Sequence, residues 1–147
     1  MDIDAFLNSI PKPIIVLCLL AFFIMKVMWS AVGTGVKTVT SMEDWTGVME
    51  EAGDRLVVVY CHSAYCKMRK TAGALFSQWS KEYPGATFVK VYVQTAKLIP
   101  EIHGIRTTPS YVLMRGGRQL ALVQGLAEAR VRAAIEMHLQ RESVGDV

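Results

Sequence analysis

The chain has few cysteines and no way to pair them all: three in 147 residues. An odd set, with Cys18 inside an apolar run, excludes the disulfide framework of a small secreted protein. Blocks of one charge are missing too. Sixteen Lys and Arg stand against thirteen Asp and Glu, a net charge of +3, and their scatter along the chain argues against a nucleic-acid partner. There is no internal repeat and no low-complexity stretch. Cys61, His62 and Cys66 supply two thiols and an imidazole but no fourth ligand and no standard zinc spacing, so neither a metal nor a cofactor is expected. The length leaves room for one domain of ordinary size and a short appendage.

Residues 1–13 read as a short tail carrying Asp2 and Asp4 and closed by Pro11-Lys12-Pro13. From Ile14 to about Val32 the chain is apolar except at Lys26 and Ser30. That is close to the ~20 residues needed to cross a hydrocarbon core. A transmembrane helix is expected over 14–33, with Lys26 snorkelling and Trp29 at the interface, so a lipid bilayer is one expected partner. A cleaved signal peptide fits less well, because the preceding segment carries aspartates and no early Lys or Arg. Lys12 and Lys37 nearly balance across the span, which leaves its orientation open.

The domain itself is expected over 34–141, with 142–147 as a tail. Ser41 followed by Asp44 resembles a helix cap, and Met42, Trp45, Val48, Met49 and Ala52 fall on one helical face. Leu56 to Cys61 reads as a buried central strand, followed by a helix running to about Tyr83 with Ala72, Leu75, Phe76 and Trp79 facing the core. Thr87–Val93 alternates as a strand, and a short helix over 96–102 is disturbed by Pro100. Two strands, 110–114 and 119–123, flank the hairpin glycines Gly116 and Gly117, and a last helix shows Val131, Ile135 and Leu139 on one face. The expected fold class is α/β: a central mixed sheet with helices on both faces, preceded by one transmembrane helix.

These residues carry a resemblance. Ala52 to Val59 looks like the segment leading into the thioredoxin central strand, and Tyr65-Cys66-Lys67-Met68-Arg69-Lys70 falls without a gap on the W-C-G-P-C-K motif. Ser80 to Tyr83, Phe88 to Val93, Thr108-Pro109-Ser110, Gly117 and Gly125 keep the family spacing. Over about residues 36–140 the chain is identified as a member of the thioredoxin family, of the eukaryotic type, with a degenerate C-x-x-R motif. A register placing Cys66 on the second motif cysteine breaks both flanks and is rejected.

The resemblance makes Cys66 the nucleophile position and Arg69 the resolving position. Guanidinium cannot attack a mixed disulfide, so dithiol turnover by this motif is excluded. Cys66 is either a reactive monothiol, with Arg69 stabilising its thiolate, or a relic. Tyr60 stands where the family has a buried aspartate, and a phenol is a poor base near neutral pH. Cys61 falls where the family is apolar and reads as an inert buried thiol. Pro109 matches the family's cis-proline, and Tyr65, Lys67, Thr108 and Pro109 are the expected peptide- or partner-binding residues.

The function expected is that of an accessory or scaffold subunit of a membrane protein complex, with protein partners in that complex. The alternatives are a monothiol oxidoreductase and a chaperone-like peptide binder. An internal anchor acting as its own targeting signal is compatible with the mitochondrial inner membrane and with the endoplasmic reticulum membrane; the former is the expectation for a small single-pass subunit of a large complex.

Overall fold

A computed structural model describes residues 3–31 and 35–145, with side chains except those of Leu7 and 26–31. The chain divides into two units, 1–34 and 35–147. In the first, α1 (Ile3–Ser9) and α2 (Lys12–Ala31) meet at Pro11. The expected tail is therefore partly helical; Ser9 Oγ donates to the Phe6 carbonyl at 2.8 Å and closes α1 before the prolines.

In α2, Ile14, Ile15, Val16 and Leu17 are all exposed, as are Leu19, Leu20, Phe22, Phe23, Ile24 and Met25. Four consecutive residues span a full helical turn, so this helix is apolar on every side. The expected span at 14–33 runs past the described side chains, and residues 32–33 lie outside the described residues altogether. Among the described residues, no helix is long and apolar enough to cross a membrane.

The second unit comprises β1 (Val36–Val39), α3 (Met42–Ala52), β2 (Val57–His62), α4 (Arg69–Glu82), β3 (Thr87–Tyr92), α5 (Leu98–Ile102), β4 (Ser110–Arg115), β5 (Arg118–Gln124) and α6 (Glu128–Val144). The sheet order is β1-β3-β2-β4-β5. Strands β1, β3 and β2 are parallel, whereas β4 and β5 are antiparallel. This is the mixed sheet that the order of strand and helix patterns predicts. The last helix continues to Val144, into the expected tail.

Local chemistry sets these elements. Ser41 Oγ accepts the Asp44 N–H at 3.1 Å, while the Asp44 carboxylate accepts the Thr40 N–H at 3.0 Å, a reciprocal cap that starts α3. Gly116 and Gly117, at φ 56° and 76°, make the tight β4–β5 turn that side chains with a Cβ resist.

Strand alternation then builds two cores. On one face Val58, Tyr60, Phe88, Tyr111 and Leu113 pack with Ala72, Phe76 and Trp79 of α4 and Val131 and Ile135 of α6. On the other, Val57, Val59, Cys61, Val89, Val91 and Val112 pack with Trp45 of α3 and Ile99 of α5. All six residues of β2 are buried, as a central strand covered on both faces requires.

Candidate functional site

The site grows from the C-terminal end of β2. The chain leaves the sheet at His62, whose carbonyl accepts the Val93 N–H at 3.0 Å, and turns before α4 begins at Arg69. Ser63 organises that turn: its Oγ accepts the Tyr65 N–H at 3.2 Å and the Gln94 amide at 2.7 Å, and its carbonyl accepts the Cys66 N–H at 3.3 Å. The next turn closes where the Arg69 N–H donates to the Cys66 carbonyl at 3.2 Å.

Cys66 therefore sits where the two turns meet, three residues before α4, and is half-buried. Tyr65 is 89% exposed, and Lys67, Met68, Arg69 and Lys70 are exposed beside it. The structure thus places Tyr65, Cys66, Lys67 and Arg69 on the two consecutive turns that join β2 to α4.

Thr108 and Pro109 come from the loop before β4. Their peptide bond is cis, Pro109 is buried, and its carbonyl accepts the Gly125 N–H at 2.8 Å. Thr108 shares a groove of about 360 Å³ with Ser63, Val93, Ile105, Arg106 and Thr107. The groove joins the loop of Thr108 to the turn that carries Cys66.

Tyr60 and Cys61 are adjacent in sequence and face opposite cores. Cys61 is fully buried among aliphatic side chains, which push its thiol up to about 12. Buried in that core with its thiol held neutral, it is shielded from the solvent and from disulfide chemistry. Tyr60 is also fully buried, and its phenol is pushed up to about 12, first by burial and then by the Cys66 thiolate, with Arg69 pulling the other way. It stays neutral at pH 7 and cannot serve as a base.

Sequence reasoning missed what surrounds Tyr60. Tyr111, opposite it on β4, stacks on its ring at 5.4 Å and 19°, and the His62 ring also lies 5.4 Å from it. The hydroxyls of Tyr60 and Tyr111 and the Nδ1 of His62 are buried without hydrogen-bond partners. The His62 imidazole is pulled down to about 4 by burial, then by the cations Lys90 and Arg69. No spacing rule signals this cluster, because it is assembled by strand pairing. No group of side chains able to hold a metal ion occurs among the described residues.

A mixed sheet of this order, with a lone cysteine in the turn after its central strand and a cis-proline loop beside it, defines a thioredoxin-type domain. The chain belongs to the thioredoxin family, whose profile matches residues 36–139. It is 30% identical over 104 residues to thioredoxin-1 of Schizosaccharomyces pombe, covering 71% of this chain and 99% of that protein. It is also 22% identical over 102 residues to monothiol glutaredoxin-4 of the same yeast, covering 69% of this chain and 42% of that one. Among solved structures, thioredoxin of Malassezia sympodialis superposes with a TM-score of 0.64 at 28% identity, over 71% of this chain and 91% of that chain.

Proposed function

We propose that the protein is a membrane-attached thioredoxin-family module that works by binding, as an accessory or scaffold subunit of a membrane protein assembly, without dithiol turnover. One observation carries the reading: the residue three positions after Cys66 is Arg69, and the only other cysteine of the domain, Cys61, is buried in the opposite core. No thiol of the domain can resolve a disulfide formed at Cys66. The groove between Ser63 and Thr108 supplies the docking surface, and Tyr65 and Lys67 are exposed on the turns that follow Ser63. Membrane attachment is supported by the apolar run Ile14–Val32 and by the exposure of apolar side chains on every side of α2. The compartment proposed is the mitochondrial inner membrane.

Two measurements test this. With dithiothreitol as donor, the full chain is expected to reduce a protein disulfide no faster than the donor alone; thioredoxin-like turnover overturns the reading. Alkaline extraction of membranes is expected to leave the chain in the pellet, and its release would overturn the attachment.

A second reading rests on the incomplete burial of Cys66. An accessible thiolate attacks a disulfide RSSR, forming Cys66–S–SR and releasing RS⁻. The thiolate of an external thiol such as glutathione then attacks the RS sulfur, forming the mixed disulfide GS–SR as the Cys66–S–SR bond breaks and returning the Cys66 thiolate. Here Cys66→Ser abolishes glutathione-dependent activity, whereas the scaffold reading predicts that complex assembly survives that change.

A further inference from the structure

We infer that the open end of the α4-covered sheet face binds a small oxyanion, a phosphate group either free or carried as the monoester of a small molecule, through Lys90, Arg69 and His62. The site is separate from the groove at Thr108, and its chemistry requires no reaction at Cys66.

The argument starts from strand register. β2 and β3 are parallel, with Tyr60 opposite Lys90 and His62 opposite Tyr92. Lys90 is in turn opposite Thr38 of β1. Residues two apart on a strand share a face. Thr38, Lys90, Tyr92, Tyr60 and His62 therefore stand on one face of the sheet, the face on which Tyr60 packs beneath α4. Arg69 opens α4, the helix that packs on this face, and so stands at its N-terminal end; its charge acts on both Tyr60 and His62.

The chemistry of this shelf has one sign. It offers an ammonium, a guanidinium, an imidazole and three hydroxyls, and none of the ion pairs among the described residues involves Lys90 or Arg69. His62 is 8% exposed, and its Nδ1 is shut off from solvent without a partner. Where the family resemblance places a buried aspartate, Tyr60 presents a phenol, so the residue opposite Lys90 on β2 carries no negative charge at neutral pH. The groups acting on His62 are Tyr60 on its own strand, Lys90 and Tyr92 on β3, and Arg69 on α4, with no carboxylate among them. Two cations beside a buried imidazole oppose its protonation. An oxyanion between them turns that opposition into attraction, and it accepts hydrogen bonds from all three groups at once. A tetrahedral oxyanion suits donors that converge from three elements, and its charge-assisted bonds supply the affinity.

The test uses the full chain in detergent micelles and follows the Cε1–Hε1 signals of its three histidines through a pH titration at fixed ionic strength. Sulfate, whose charge is constant over this range, is compared with chloride. The expected result is a rise of the His62 midpoint by about one unit or more in sulfate, with His103 and His138 unmoved. Lys90→Gln, and separately Arg69→Gln at an exposed position, are expected to weaken sulfate binding about tenfold or more, while Lys90→Arg retains it. The His138 signal reports that each variant is folded, and the Arg69 arm decides the question if Lys90→Gln is not. Inorganic phosphate and glycerol phosphate then separate the sources: tighter binding of the monoester assigns a phosphorylated small molecule, and otherwise free phosphate is assigned. An unmoved His62, equal shifts in all three histidines, or a His62 shift that survives the neutralising substitutions, an adventitious ion only, would overturn the inference.

Discussion

Replacing Tyr111 by phenylalanine is expected to make the protein more stable. The side chain is 0% exposed and its hydroxyl has no hydrogen-bond partner. Burial, followed by the charges of Tyr60, Cys66 and Glu128, raises its pKa far above the working range, so the group folds as a neutral phenol. Phenylalanine keeps the ring, its stack on Tyr60 at 5.4 Å and its edge contact with Trp79 at 5.5 Å. What disappears is an oxygen that loses its hydration on folding and gains nothing, a cost of about 1–3 kcal/mol. The hydroxyl-sized gap left behind subtracts only a few tenths, at roughly 24 cal/mol per Å³. The net gain is about 1 kcal/mol, which for a domain of this size raises Tm by about 4–8 °C. Thermal unfolding of the full chain in micelles, followed by near-ultraviolet circular dichroism of the aromatic cluster, measures it. A Tyr111→Phe variant with an unchanged or lower Tm would show that the hydroxyl is held by a partner, and would refute the reasoning.

Stability should also fall on acidification. With its folded value near 4 and an ordinary value of 6.5, His62 binds its proton more readily in the unfolded chain between those limits. Its contribution is thus present above pH 6.5 and lost as the pH falls to about 4, on the order of 2–3 kcal/mol. Urea midpoints across that range check this, and a His62→Phe variant that keeps the full slope would refute the assignment. Arg69→Cys puts a second thiol one turn from Cys66, across the contact where the Arg69 N–H meets the Cys66 carbonyl at 3.2 Å. Mild oxidation of that variant is expected to leave two of its four thiols, those of Cys18 and Cys61, to titrate with an aromatic disulfide reagent after unfolding; four persistently free thiols would contradict the geometry. Phe76→Ala empties the centre of the aromatic core, where the ring lies 5.2 Å from both Tyr60 and Phe88. It is expected to cost about 3–5 kcal/mol; a loss under 1 kcal/mol by chemical denaturation would show that the core collapses around the gap.

The parts of the fold that were legible were those written in local chemistry. Ser41 and Asp44 announce α3 because a cap needs residues three apart, and the structure bonds them as the spacing predicts. Leu56–Cys61 announces a central strand because burial on both faces demands an unbroken apolar run, and the error of one residue, Val57–His62, lies at its ends. Trp45 and Trp79 were readable as core from helical spacing, and both are buried. His138 was not, although it is 6% exposed, because a single histidine on a helix carries no period. α1 was missed for a related reason: seven residues between an acidic start and Pro11 give too short a pattern to separate from a tail.

The candidate site divides along the same line. Cys66, Arg69 and their turn are contiguous, so motif spacing finds them. Tyr60, Tyr111, Lys90 and His62 meet only through the pairing of β2 with β3 and β4, at sequence separations that no window spans. Net charge conceals them as well. A sum of +3 spread over 147 residues gives no hint of a local excess, yet the sheet sets Lys90 beside the strand that carries His62, and α4 starts with Arg69 above it. Electrostatic character is thus a property of register here. A slip of one residue between β2 and β3 would send Lys90 to the opposite core and leave His62 facing a different neighbour. The same hydrophobic alternation that fixes the two cores therefore also fixes where the positive charge accumulates, and selection on one cannot move freely without disturbing the other.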